Sequence, residues 1–302
     1  MTQKRFGRLD FMIIVLAGFA SQVFFHLTGG RFDGGGLDRN IYFVMQLLDP
    51  RLLAGKLAES LWYMHIQPPL YNFFVGIGLK LFPSAYALAF EAVYLLIGLA
   101  LAWTIYRMMR LLGVVRWLAL AVTILYQIGP ADMFFRNWFF YSYPIMALLI
   151  LAGYFMMRYL HNGGNTHGWL FFALIMSIVL TRVVYHPAWF AIITVGLMIM
   201  MKNRRRQITI MAAGPALIVF LWLAKNYYLF GSFSMNTQLG WSLAKIATQF
   251  LTTEEMKELQ AEGKISVLAG IPANQRYEIY LDYMDGVETY WHPVDPGSVL
   301  PG

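Results

Sequence analysis

Eight apolar stretches, at roughly 11–27, 68–82, 85–106, 117–130, 138–157, 168–181, 187–201 and 207–224, fill most of the first 224 residues. Lipid offers backbone groups no hydrogen-bond partners, so runs of this length have to be helical where they are embedded. Only 13% of the 302 residues are charged and 59% are hydrophobic, against about 25% charged in ordinary soluble domains. A soluble enzyme, a disordered chain and a coiled coil are excluded. The predicted fold is all-α, a polytopic membrane protein. The absence of cysteine also removes disulfide scaffolds, thiolate metal sites and cysteine nucleophiles.

The run at 68–82, PPLYNFFVGIGLKLF, decides which way the chain threads. It is short, opens on a proline pair and carries Lys80 near its end. If it crosses fully, Arg107, Arg110, Arg116, Arg158, Lys202, Arg204, Arg205 and Arg206 lie outside, with Arg136, Arg182 and Lys225 inside. If it turns back, those eight lie inside and the three outside, as the positive-inside tendency requires. About seven crossings are therefore predicted, with an external juxtamembrane helix at 68–82. The net charge of +7 then follows the membrane and is no nucleic-acid signature. The first run follows Lys4, Arg5 and Arg8 and reads as an uncleaved helix with a cytoplasmic start, in preference to a signal peptide.

This threading gathers the carboxylates on the outer side. Between Ser60 and Thr253 there are only Glu91 and Asp132; Asp33, Asp38, Asp49 and Glu59 precede them, and nine acids follow Thr253. His26, His65, His186 and His292 are placed outside too. The organisation expected is a transmembrane domain over 1–224, with an external loop at 28–84, and an external C-terminal segment over 225–302. The loose WHPVDPGSVLPG end suggests truncation. In the first loop Ile41, Val44, Leu47 and Leu48 recur at helical spacing, predicting an amphipathic helix on the membrane with Asp38 at its cap. A second helix is expected over 51–63, and Thr252-Thr253-Glu254-Glu255 reads as a capping box opening a helix that stops at Gly263.

The compact motifs of soluble enzymes, a phosphate-binding loop, His-Glu-x-x-His and Gly-x-Ser-x-Gly, are missing from the sequence. What is present is an ordered set. Asp38 is followed four residues on by Tyr42; His65-Ile66-Gln67-Pro68-Pro69-Leu70-Tyr71 comes next, with Leu81-Phe82 after it; then Arg136-Asn137-Trp138-Phe139-Phe140-Tyr141-Ser142-Tyr143-Pro144 and Lys225-Asn226 with Phe230-Gly231. The set resembles the GT-C superfamily of membrane glycosyltransferases, in its bacterial protein-mannosyltransferase and aminoarabinose-transferase branch, over most of residues 10–245. The resemblance implies transfer of a sugar from a polyprenyl-phosphate carrier to a glycan, lipid or protein acceptor. It also implies a multi-pass chain in the bacterial inner membrane, serving the cell envelope with its active face periplasmic. Gln67 stands where that branch commonly has lysine, Arg136 where an acid is expected and Pro83 where a glycine is expected.

Glycosyl transfer needs a carboxylate to take the acceptor proton and positive charge or a divalent metal to steady the departing phosphate. Asp38 is the candidate base, with Asp33 in reserve. Tyr42, His65, Gln67, Glu91, Asp132, Arg136 and Arg182 are the candidate substrate-binding groups, joined among the external cations by Arg31 and Arg39. Guanidinium suits phosphate through bidentate hydrogen bonding, and His65 suits phosphate or a metal. Against these stand plainer readings: an interfacial histidine at 65, helix initiation by Pro68 and Pro69, and an aromatic belt formed by Trp138, Tyr141 and Tyr143. A non-catalytic transporter, flippase or envelope-assembly subunit is the alternative class, and it predicts polar groups in the middle of the spans.

Overall fold

The computed structural model describes residues 7–33, 47–237, 243 and 245–265. Among these the regular elements are all helices: α1 (Arg8–Leu27), α2 (Pro50–Gly55), α3 (Leu57–Trp62), α4 (Pro69–Leu81), α5 (Tyr86–Leu111), α6 (Arg116–Ile128), α7 (Pro130–Arg136), α8 (Ser142–Asn162), α9 (Asn165–Val179), α10 (Pro187–Met200), α11 (Arg205–Phe230) and α12 (Thr253–Ala261). Extended pairing among them is confined to a lone bridge between Asp33 and Trp138.

Four helices are long and apolar enough to cross a membrane: α1, α5, α8, and α11 with the 3₁₀ turn that leads into it. A fifth span results if α6 and α7, bent by 56° at Gly129, count as one. The apolar α9 and α10 have 15 and 14 residues, about 22 Å of helix against a hydrocarbon core of about 30 Å. In the most apolar stretches of the four long spans, only 28% to 39% of the residues are buried. Leu16, Leu96 and Leu221 are more than half exposed. Polar groups line parts of the interior instead, so the distribution is that of a bundle whose outer surface meets lipid.

α1 runs antiparallel to α5, α8 runs parallel to α5, and the bundle has two unlike ends. At one, Asp10 near the start of α1 pairs with Arg116 at the start of α6 (2.6 Å) and accepts from Tyr106 near the end of α5. At the other, His26 near the end of α1 meets Glu91 near the start of α5 (2.6 Å). Arg107, Arg110, Arg158 and Arg204 come from helix ends that belong to the first of these, the basic end.

α4 begins as its sequence predicts, with Pro68 as the capping residue and Pro69 in the first turn, where the missing N–H costs nothing. It does not run the length of the bundle. Its Tyr71 hydroxyl meets that of Tyr94 at 2.8 Å, its Gly78 lies against the Phe90 ring, and its Leu70 N–H donates to Leu180. α4 therefore lies alongside the first turns of α5 in a tight hairpin. α2 and α3 pack on it through Leu53 and Leu57, which close over Gly76.

Three expectations change. The helix expected over 51–63 is broken at Lys56 into α2 and α3. The compositional shift at Ala224 falls inside α11, which continues to Phe230. Tyr141 and Tyr143, expected in an aromatic belt, are buried at 5% and 1% exposure, because their hydroxyl-bearing rings pack against Tyr71 and Tyr94. Trp138 remains partly exposed. The capping box is present as expected: Thr252 and Glu255 bond reciprocally at the start of α12.

Candidate functional site

The centre of the His26 end is a polar network that α1 enters through Ser21, Gln22 and His26. Gln22 is its hub. Its amide nitrogen donates to Asn137 Oδ1 (2.7 Å) and Glu91 Oε1 (3.0 Å), and its oxygen accepts from Arg136 Nε and Asn137 Nδ2, both at 3.2 Å. The two terminal nitrogens of Arg136 donate to Asp132 Oδ2 and Ser21 Oγ, each at 3.0 Å. Tyr143 donates to the other Asp132 oxygen at 2.8 Å. Every polar atom of Asp132 and Gln22 is thereby used, which is what a buried polar group needs to be tolerated.

Asp132 and Arg136 are neighbours on one face of α7 at i and i+4, with side chains each 1% exposed. Their placement requires Gly98 on α5. A Cβ there would lie 2.9 Å from Arg136 Cδ and 2.7 Å from the Tyr143 hydroxyl. The expectation of Arg136 as an external cation facing phosphate is corrected here. Its charge is consumed internally, since it packs between α1, α5 and α8.

Glu91 and His26 form the accessible edge of this network, with side chains 22% and 40% exposed. His26 directs Nε2 to the Glu91 carboxylate and Nδ1 to Gly30 O at 3.1 Å. Both ring nitrogens face oxygens, and Nε2 also lies 3.2 Å from the Gln22 amide nitrogen, which ties His26 to the hub of the network. Asp33 lies beside it. Its backbone N–H donates to Asn137 O at 2.7 Å, and its exposed side chain borders the network without belonging to it. Asp38 and Tyr42 lie outside the described residues, as does Arg39.

His65 and Gln67 belong to a second group. Gln67 is buried and accepts from the Val183 N–H at 3.1 Å, and the His65 carbonyl accepts from the Thr237 N–H at 3.2 Å. Gln67 thus pins the α9–α10 turn to the start of α4. His65 and Gln67 line, with Ser60, Asn72 and Trp222, a recess of about 10 Å³. Lys225 lies against the Trp222 face at 3.7 Å and donates to the Trp62 carbonyl. Arg182, in the turn that Gln67 holds, lies 4.7 Å over the Tyr141 ring.

Between the two groups runs an aromatic wall. Tyr71 and Tyr94 share a hydrogen bond, Tyr94 donates to Phe140 O at 2.8 Å, and Tyr94 stacks on Tyr143. On its far side is a cavity of about 240 Å³, lined by Tyr71, Phe74, Ile97, Ala100, Leu148 and Thr181 among others, and almost wholly apolar. Arg182 follows Thr181 directly and makes no ion pair among the described residues.

Ser21, Gln22, His26 and Asn137 were not among the predicted site residues. Their signal is legible: three polar side chains within six residues of an otherwise apolar helix rarely go without partners. No group of three or more His, Asp or Glu comes together among the described residues to hold a metal ion. Comparison of the chain with family models, with characterised proteins and with solved structures returns no match.

Proposed function

We propose that the chain is a membrane glycosyltransferase of GT-C type, which moves a sugar from a polyprenyl-phosphate carrier to an acceptor on the extracytoplasmic side. The observation that carries this reading is the apolar cavity whose wall includes Thr181, the residue next in sequence to Arg182. A chain of isoprene units needs an apolar surface reachable from lipid, and its phosphate needs a cation where that surface stops. Tyr71, Phe74, Ile97, Ala100 and Leu148 supply the first. Arg182 supplies the second, with the bidentate geometry that phosphate favours. The tyrosine wall joins this cavity to the network that carries Glu91.

In this reading α1, α5, the bent α6–α7 pair, α8, α9, α10 and α11 are seven crossings, and the basic end is cytoplasmic. α4 remains on the outer side, consistent with its hairpin against α5. Arg182 would hold the donor phosphate and stabilise the charge that develops as the glycosidic bond breaks. Asp38, with Asp33 in reserve, would take the acceptor proton. The Asp132–Arg136 pair positions Asn137 and Gln22, and through them Glu91.

The test is transfer from a polyprenyl-phosphate sugar by the protein in lipid vesicles. Asp38→Asn is expected to lower kcat by about two to four orders of magnitude, and Arg182→Ala to raise the KM for the donor with less effect on folding. Full turnover by both Asp38→Asn and Asp33→Asn would overturn the assignment of the base. An unchanged KM in Arg182→Ala would overturn that of the phosphate site.

A further inference from the structure

The basic end contains positive charge that the proposed chemistry does not use. Lys202, Arg205 and Arg206 are exposed and are explained by a membrane surface. Arg158 is different: it is 8% exposed, and its Nε reaches no hydrogen-bond partner. Nearby, His167 Nδ1 at the start of α9 and Arg204 Nη1 before α11 are buried without partners in the same way. Arg107 of α5 is close enough to act electrostatically on both Arg158 and His167, and its guanidinium lies 5.3 Å over the Tyr154 ring.

Arg204 is drawn inward by the backbone. Gly163 closes α8 with φ of 65°, and a Cβ there would lie 2.2 Å from Arg204 Nη1. The guanidinium therefore crosses the bare end of α8, 5.9 Å from the Tyr159 ring. Among the described residues no carboxylate answers this charge. Asp10, the acid near the start of α1, is already held by Arg116 and Tyr106. Arg158, His167 and Arg204 form no ion pair among the described residues.

Burying one unpaired guanidinium costs several kcal/mol, and gathering further cations beside it adds repulsion. Among the described residues these cations meet the rings of Tyr154 and Tyr159 but no carboxylate. We infer that the basic cluster formed by Arg107 and Arg158 at the ends of α5 and α8 and His167 at the start of α9, flanked by Arg204, binds a phosphate group: that of an anionic lipid headgroup or of a free phosphate ester. Guanidinium forks match phosphate oxygens, and His167 adds a ring nitrogen donor. This inference stands independently of the glycosyltransferase reading, since it concerns the opposite end of the bundle.

The test is the melting temperature of the purified full chain in neutral detergent, titrated with three probes: dioctanoyl phosphatidylglycerol, inorganic phosphate and, as a phosphate-free control, dioctanoylglycerol. A saturable rise with phosphatidylglycerol alone identifies a lipid headgroup, and a rise with inorganic phosphate identifies the free ion or ester. Either supports the site if Arg158→Gln weakens the response about tenfold or more, the scale of one lost charge-assisted hydrogen bond. Arg158→Gln is also expected to melt no lower than the parent without probe, whereas an arginine that serves packing would melt lower. Should Arg158→Gln fail to fold, Arg204→Gln, from a surface turn, is read in its place and is expected to weaken the response in the same direction. No saturable response in the parent would overturn the inference. So would an equal response to dioctanoylglycerol, an unchanged response in both variants, or an equal loss on neutralising exposed Lys202, Arg205 and Arg206 together.

Discussion

Arg136 shows how far a residue's role depends on what surrounds it. Outside the membrane it would be a phosphate ligand; placed behind Gly98 it is half of an ion pair with 1% exposure on each side. Buried pairs contribute little net stability when intact, because desolvation offsets the attraction, but removing one partner strands the other. Arg136→Ala is therefore expected to destabilise the fold by about 3–5 kcal/mol, measured as loss of melting temperature in detergent. The joint replacement Asp132→Leu with Arg136→Met should recover much of that loss. Glu91→Gln, at the accessible edge, should cost far less. A double replacement no more stable than Arg136→Ala would show that the hydrogen bonds to Gln22 and Ser21, not the charge pair, hold α7.

At the scale of elements, α4 and α12 make opposite points. Both starts are legible in sequence, through Pro68-Pro69 and through the Thr252–Glu255 box, because capping is a local matter of backbone donors and their nearest acceptors. The place of α4 in the bundle is not local, and it is open to direct measurement. The chain has no cysteine, so Lys80→Cys and Arg205→Cys each introduce a single label site. Lys80→Cys is expected to react with a membrane-impermeant maleimide in intact cells, and Arg205→Cys only after permeabilisation; the reverse result would reverse the threading.

For α12, the Thr252 backbone N–H and then its hydroxyl hold the Glu255 carboxyl below its ordinary value of 4.5. A lowered carboxyl stabilises only while ionised, so this contribution is complete above that value and is lost as pH falls through and below it. Amide protection over residues 255–261, corrected for intrinsic exchange, is expected to fall between pH 6 and pH 3. In Glu255→Gln it should fall by less.

At the scale of the whole molecule, the apolar outer faces of the spans and the apolar cavity beside Tyr71 are distinct surfaces. The cavity beside Tyr71 is open enough that Ala100, on its wall, is itself exposed. Ala100→Trp should therefore narrow it without disturbing the core. The expected outcome is a donor KM raised tenfold or more with an unchanged melting temperature. A melting temperature and a KM both unchanged would show that the cavity lies off the donor's path.

Hydropathy, helix starts and the asymmetry of charge along the chain were open to reading from residue order, since each depends on a residue and its near neighbours. That reading reached an all-helical membrane protein and singled out Glu91, Asp132 and Arg136, which share one hydrogen-bond network in the fold. It placed Tyr141 and Tyr143 at a lipid interface and Arg136 toward solvent because a helical period does not say which neighbour a face will meet. Only tertiary packing settles that. It brought Gln22 and His26 of α1 against Glu91 of α5 and Asn137 beside α7, across sequence separations of 65 to 115 residues. It also left Arg158 buried with no counter-charge among the described residues, because a carboxylate can neutralise an arginine only where the fold places it within a few ångströms.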